Sequence, residues 1–419
     1  MSTPRDAGRV VIVGGGLAGY SAAEQLRALG HEGTITLVDS ELAAYDRPPL
    51  SKRLFDEDFT VEKLVFASED KFADKHIDTR FGRTAVAIEP DAAAVLLDDG
   101  DVLPADTVLL TVGGRARTLP VPGMDLPGVV ALRSFADAVA IRERVRERTR
   151  AVIVGAGLIG AELASSLRHA GASVTLVDPV SVPLAPAVGG LLAQHLHDMH
   201  SAHGIDVVVG VTEEVVDADG HRVVVLDDGP RLDADLVVIG VGIVPNTELA
   251  ERAGIETDNG ILVDDAYQAS LPKVYAAGDV ARRRASDGSL HRREEHWEAA
   301  QLSGQHAAYG MLGLEAPRRG APWFWSDRHG VHLEAAGRLS GPGELVVRHG
   351  GDHPAVFLLE DGLLVGAAAV DDNNIVRAAR RLIDQRIPVS AAELTDPAVA
   401  LRSLLRAARR AVPSNGTGD

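Results

Sequence analysis

Gly14, Gly16 and Gly19 stand in G-x-G-x-x-G spacing, and Gly155, Gly157 and Gly160 repeat that spacing later in the chain. In each set the first glycine permits a tight turn. The second lets a pyrophosphate come close to the backbone, and the third lets helix and strand touch. The helix N-terminus that follows carries the partial positive charge that holds phosphates. Acids close both units. Asp39 ends "TITLVD" where a ribose-binding acid is expected, with Glu41 as its rival, and Asp178 ends "SVTLVD". Asp178 can accept hydrogen bonds from both ribose hydroxyls and repels a 2′-phosphate. The segment beyond it, "PVSVPLAPAV", has no arginine, so NADH is favoured over NADPH. A third fragment, "LPKVYAAGDVA" (271–281), is a short apolar strand ending in Gly278-Asp279, where an aspartate can accept from a polyol such as a flavin's ribityl chain.

The elements needed to position these groups are present. A β-branched run, Val10 to Val13, precedes the first glycine set, and a helical pattern with small residues, Leu26 and Leu29 follows it. "RAVIV" and "LIGAELASSLRHAG" do the same for the second set. Strand, glycine turn, helix and acid-terminated strand, twice over, predict an α/β protein with two Rossmann-like units. Between the units' motifs lies "YDRPPLSKRLF" (45–55). Pro48 and Pro49 fix their own φ and bias the residues before them to extended geometry, which predicts a stiff strap leading into a short helix at Ser51. After "FWSD", the strings "VHLEAAGRL", "GELVVRHG" and "AVFLLEDGLLVGAAAV" read as short strands and "NNIVRAARRLIDQR" as a helix, a small α/β C-terminal domain. The tail "VPSNGTGD" reads as disordered. "HLHDMHSAHG" scatters four histidines around a helix with no carboxylate pattern, so it reads as a solvated face and not a metal site.

Length and composition narrow the classes. The chain has 419 residues, enough for two or three domains, with 46% apolar and 24% charged residues. No apolar run reaches membrane-span length and "MSTPRDAGR" lacks an apolar signal core, so the reading is soluble and cytoplasmic, with no membrane partner. A net charge of −18, from 42 Lys+Arg against 60 Asp+Glu, argues against nucleic-acid binding. There is no cysteine. Disulfides, iron–sulfur ligation, cysteine zinc sites and electron relay through a protein thiol are excluded.

Taken in order, "YDRPPLSK", the paired glycine motifs, "GIVPNTELA", "YAAGDVA", "EEHWEAA" and "PWFWSD" span nearly the whole chain and resemble the FAD-dependent ferredoxin reductases of bacterial oxygenase systems, on the glutathione reductase-like two-dinucleotide fold. The resemblance implies an FAD domain in two pieces, residues 1–112 and 246–320, an NADH domain at 113–245, and a C-terminal domain at 321–419. It implies flavin contacts at Ala18, Glu41, Arg47, Lys52, Val86, Arg133, Asp279 and Trp297. Ile159, Glu162 and Gly242 join the second glycine set on the NADH side. It also implies that Lys52 reaches the flavin and pairs with Glu162, each charge intolerable alone if buried. There are departures: "TVGG" (111–114) stands for the usual Ala-Thr-Gly, putting a Thr111 contact in doubt, and Ala185 and Pro186 stand where an arginine is common.

Without thiols, electrons must leave the flavin directly, and a flavin can return single electrons. Arg282, Arg283, Arg284, Arg292 and Arg293, with Arg318, Arg319 and Arg328 around "WFWSD", form locally basic loops suited to steering an acidic [2Fe-2S] ferredoxin, with Trp297 and Trp325 near its approach. The expected function is an NADH:ferredoxin reductase feeding an oxygenase, a Rieske dioxygenase or a cytochrome P450, as monomer or homodimer. An NADH oxidase, a rubredoxin reductase, or an NADH-sensing interaction protein like apoptosis-inducing factor are the alternatives.

Overall fold

A computed structural model describes residues 5–89, 92–227 and 229–411; the tail expected to be disordered lies outside the described residues. Strand Val10–Val13 is central in a five-stranded parallel sheet with order Val274–Ala276, Thr107–Leu110, Val10–Val13, Ile35–Asp39 and Ile77–Phe81. Strand Arg150–Val154 is central in a second, ordered Asp206–Val209, Ser173–Asp178, Arg150–Val154, Leu236–Ile239 and Val129–Ala131. "VVIV" and "LVVI" are continuous apolar runs because such strands are covered on both faces. Ile12, Leu37 and Leu109 have no exposed surface. Burying each contributes about 1.5–3 kcal/mol.

Each parallel sheet carries a three-stranded antiparallel sheet beside it. The chain crosses between the two halves through one antiparallel pair, Gly114–Ala116 with Ile243–Pro245. Helix Trp297–Met311 brings the chain back onto helix Leu17–Ala28. The contact is so close that a Cβ on Gly304 would lie 2.1 Å from the Ala18 carbonyl oxygen. The C-terminal region is a five-stranded antiparallel sheet, Trp323–Arg328, Val331–Gly337, Leu363–Val370, Ala355–Glu360 and Glu344–Arg348 in spatial order. Helix Asn373–Gln385 buries Val376, Ala379 and Leu382 with that sheet. Asp372 caps its start by accepting from the Ile375 N–H. Among the described residues no helix is long and apolar enough to cross a membrane.

The strap differs from expectation. Pro48 is helical (φ −53°, ψ −32°) although a proline follows it, and the short helix runs over Pro49–Lys52, starting before Ser51. Burial overrides the local preference: Tyr45, Leu50 and Leu54 sink into one cluster with helix Leu158–His169, and the Leu50 N–H donates to the Arg47 carbonyl at 2.9 Å.

Candidate active site

Two opposite tests show that both glycine turns suit a pyrophosphate. Gly14 and Gly155 have φ of +114° and +108°, and a Cβ there would stand 2.3 Å from the Thr111 oxygen and 2.4 Å from the Gly240 oxygen. Gly19 and Gly160 press on their own turns, with Cβ positions 2.0 and 1.9 Å from the Gly14 and Gly155 oxygens. Gly16 and Gly157 instead have ordinary negative φ and open space, with nothing within 4 Å of a Cβ. The first four glycines are required by packing. The last two leave room for something that the chain itself does not supply.

The acids repeat one arrangement. Asp39 accepts from the Gly15 N–H at 2.5 Å and the Glu41 N–H at 2.8 Å, and Asp178 from the Ala156 N–H at 2.8 Å and the Val180 N–H at 2.9 Å. Burial raises the Asp39 carboxyl above its ordinary range against those bonds. Glu41 is held by the Arg47 guanidinium at 2.9 Å and the Tyr45 hydroxyl.

A cleft of about 600 Å³ is lined by Gly14, Gly16, Ala18, Asp39, Glu41, Arg47, Arg133, Asp279, Trp297 and Trp325 together with Lys52, Ile159 and Glu162, and the buried Glu162 marks its inner end. Expected residues of the first unit, the strap and the later segments thus meet in one space, whereas Gly155, Gly157, Gly160 and Asp178 are not among its lining. Arg133 bonds Asp279 at 2.9 Å, and the Trp297 indole N–H donates to Asp46 at 2.8 Å. Val86 does not line the cleft. Its neighbours Arg83, Thr84 and Ala85 do, whereas Val86, at an irregularity in the strand pairing, is 40% exposed. Gly242 lies outside the cleft, just after the Gly240-Val241 backbone that receives the Gly155 turn. The Thr111 hydroxyl donates to the Gly14 carbonyl at 2.7 Å, so it braces the turn.

At the inner end Lys52 Nζ lies 2.7 Å from Glu162 Oε1, with side-chain exposures of 16% and 4%. Ser51 Oγ donates to Glu162 Oε2 at 2.5 Å and Ser326 Oγ to Oε1 at 2.6 Å. The carboxylate thus meets three side chains from two segments, the strap helix and the strand Trp323–Arg328. Removing the lysine alone would leave a buried charge uncompensated, a cost of about 3–5 kcal/mol. Sequence reasoning missed both serines, because each stands more than a hundred positions from Glu162 and carries no spacing signal.

The expected docking patch needs correction. Arg328 is 3% exposed and lies behind Glu162, donating to Ser326 Oγ at 2.9 Å. Burial lowers its guanidinium to about 10, with Glu162 and Asp327 opposing the shift. Arg293 is buried against Glu295 at 2.8 Å and the Asp279 carbonyl at 2.9 Å. Arg282 pairs with Asp258, Arg283 with Asp265, Arg284 with Glu256 and Arg319 with Glu294. Arg292 and Arg318 are exposed and belong to none of these pairs. The histidine helix is not a solvated face either. His200 is 1% exposed and shares a 2.9 Å hydrogen bond with His329, and His195 shares one of 2.8 Å with His353, because the C-terminal sheet covers that side.

Residues 8–304 match the family model described as pyridine nucleotide-disulphide oxidoreductase, and residues 323–405 match that described as reductase C-terminal. The chain belongs to the pyridine nucleotide-disulphide oxidoreductases. Within that family it is a ferredoxin reductase-type member. It is 35% identical to the ferredoxin–NAD(+) reductase component of 3-phenylpropionate/cinnamic acid dioxygenase from Photorhabdus laumondii, over 89% of this chain and 95% of the relative. It is 33% identical to putidaredoxin reductase of Pseudomonas putida, over 97% and 98%. The crystal structure of the covalent putidaredoxin reductase–putidaredoxin complex matches with a TM-score of 0.89 at 32% identity, covering 97% of this chain and all of that one. Unlike what the family name implies, this reductase has no cysteine.

Proposed function

We propose that the chain is an FAD-dependent NADH:ferredoxin reductase, taking electrons from NADH and delivering them singly to a [2Fe-2S] ferredoxin that serves an oxygenase. The observation that carries this reading is the buried Lys52–Glu162 pair, which joins the strap beside the first unit's cleft to the helix that follows the second glycine turn, in a chain without thiols. Bound FAD supplies the conversion between a two-electron donor and one-electron acceptors.

Residues 1–112 and 246–320 hold FAD in this proposal, 113–245 hold NADH, and 321–419 complete the cleft. Gly14, Gly16 and the following helix take the FAD pyrophosphate, with Asp39 and Glu41 at the ribose. Arg47, Arg133 and Asp279 line the middle of the cleft, and Trp297 packs its inner end. Gly155, Gly157, Gly160, Ile159 and Asp178 take NADH, and the carboxylate of Asp178 disfavours a 2′-phosphate. Lys52 places a fixed positive charge at the inner end, and Glu162, Ser51 and Ser326 hold it there. Catalysis is mainly alignment and preset electrostatics, with no side chain needed as a general base. The NADH supply places the reaction in the cytoplasm.

The test is an anaerobic NADH titration of the yellow protein followed by mixing with oxidised [2Fe-2S] ferredoxins. Bleaching by NADH but not NADPH and then rapid ferredoxin reduction is the expected result. Fast oxygen consumption without a carrier points to an oxidase. Slow reoxidation by every carrier points to a sensor.

A further inference from the structure

Each turnover of the proposed reaction leaves one proton behind: NADH + 2 oxidised ferredoxins → NAD⁺ + 2 reduced ferredoxins + H⁺. The C4–H bond of NADH breaks, both electrons go to the iron–sulfur carriers, and the hydrogen nucleus must reach solvent. The cleft's inner end is lined by buried or half-buried groups, so the exit needs a path.

The hairpin of Trp323–Arg328 and Val331–Gly337 provides a line of groups leading away from Lys52. Asp327 and His332 are directly opposed across the hairpin, as are Trp325 and Glu334, so all four share one face. Lys52 Nζ lies 3.9 Å from Asp327 Oδ2, within the swing of a lysine tip. Asp327 Oδ1 lies 2.5 Å from His332 Nδ1, and His332 Nε2 lies 3.4 Å from Glu334 Oε1. His332 is 34% exposed at its side chain, and Glu334 is 5% exposed with its other oxygen buried and unpartnered. Asp327 and Glu334 flank the imidazole, and the Asp371 carboxylate accepts the His332 backbone N–H at 2.8 Å. No part of the fold described above requires an imidazole between two carboxylates there.

We propose that Lys52, Asp327 and His332 form the route by which the released proton leaves the cleft. Lys52 gives a proton to Asp327 as it takes up the released one, and ends unchanged. Asp327 passes the proton to His332 Nδ1, and the ring, which carries its own proton on Nε2, releases that one to solvent through its exposed edge. An imidazole has two ring nitrogens, so it can accept a proton on one and release another from the other. The inference rests on the reading of the chain as a reductase of one-electron acceptors.

The test uses the holoenzyme with ferricyanide in place of ferredoxin, so that failure with ferredoxin, which would count against the proposed function, is a separate result. Nitrogen-15 spectra are expected to show His332 with its proton on Nε2 and Nδ1 as the acceptor in the oxidised protein, with Nδ1 gaining a proton after reduction by NADH, and Asp327→Asn should abolish that gain. In His332→Gln, reoxidation of the NADH-reduced protein is expected to slow about tenfold or more relative to its reduction by NADH, with a larger solvent deuterium isotope effect. Added imidazole should restore the rate in His332→Ala. Wild-type ratios and isotope effects in His332→Gln, or a His332 signal indifferent to Asp327→Asn, would overturn the route.

Discussion

Lys52 shows how much one side chain does in this site. Its ammonium faces a carboxylate that also accepts from Ser51 and Ser326, so the pair is held at one end of the cleft. Lys52→Ala is expected to slow flavin bleaching by NADH about tenfold or more in stopped flow, because a preset charge is lost where none can be recruited. The variant should also lose stability, since Glu162 stays buried without its cation. A triple variant Lys52→Met/Glu162→Leu/Arg328→Met should unfold at a higher urea concentration than Lys52→Ala, because removing the whole buried charge cluster avoids leaving one charge unpaired. Bleaching at the wild-type rate in Lys52→Ala would remove the pair from the mechanism.

At the scale of elements, the two kinds of glycine make a paired prediction. Gly16→Ala adds a methyl group into open space on a backbone that any residue adopts, so the variant should fold with little change in melting temperature. It should nevertheless release FAD far more easily on dilution, because the methyl occupies the approach of the phosphates. Gly160→Ala drives a methyl group to 1.9 Å from the Gly155 carbonyl and should unfold the second strand–helix contact outright. Helix Gly190–Ala202 carries a pH prediction. Burial holds His200 neutral, down at about 3, with Arg328 and His329 adding to the shift. The unfolded value of 6.5 is higher, so the unfolded chain binds the proton more readily. Stability is therefore full above pH 6.5 and falls as pH drops towards the folded value. At pH 5 the loss is about 2 kcal/mol, read by urea unfolding at the two pH values. His200→Asn should flatten that slope.

Across the whole molecule the charge balance changes how a partner is met. Four of the five arginines at 281–297 face carboxylates of this chain, and Arg328 is inside. Locally paired charges contribute little to long-range steering. Ferredoxin turnover is therefore expected to fall only gently with salt. Arg292 and Arg318 remain as the exposed cations outside those pairs. Arg292→Ala/Arg318→Ala should raise the KM for an acidic ferredoxin several-fold while ferricyanide reduction stays as in the wild type. A steep salt dependence that survives in the double variant would place docking elsewhere.

The sequence alone determined everything that is local or repeats. Strand, glycine turn, helix and acid are contiguous, and their spacing is set by backbone geometry, so both dinucleotide units and the Asp39 and Asp178 positions were legible. The absence of cysteine needed no structure at all. The strap was legible as a stiff segment, but its helical Pro48 was not, because burial of Tyr45 and Leu50 outweighed a dihedral preference. What tertiary structure decided were the properties of side chains whose partners are distant in the chain. Ser51 and Ser326 became ligands of Glu162, Arg328 turned inward, the basic loop was neutralised, and the histidine helix was covered by the C-terminal sheet. Sequence spacing specifies which groups share an element. Which face of that element meets another, and whether a charge there finds water or a counter-ion, is settled only when the elements pack.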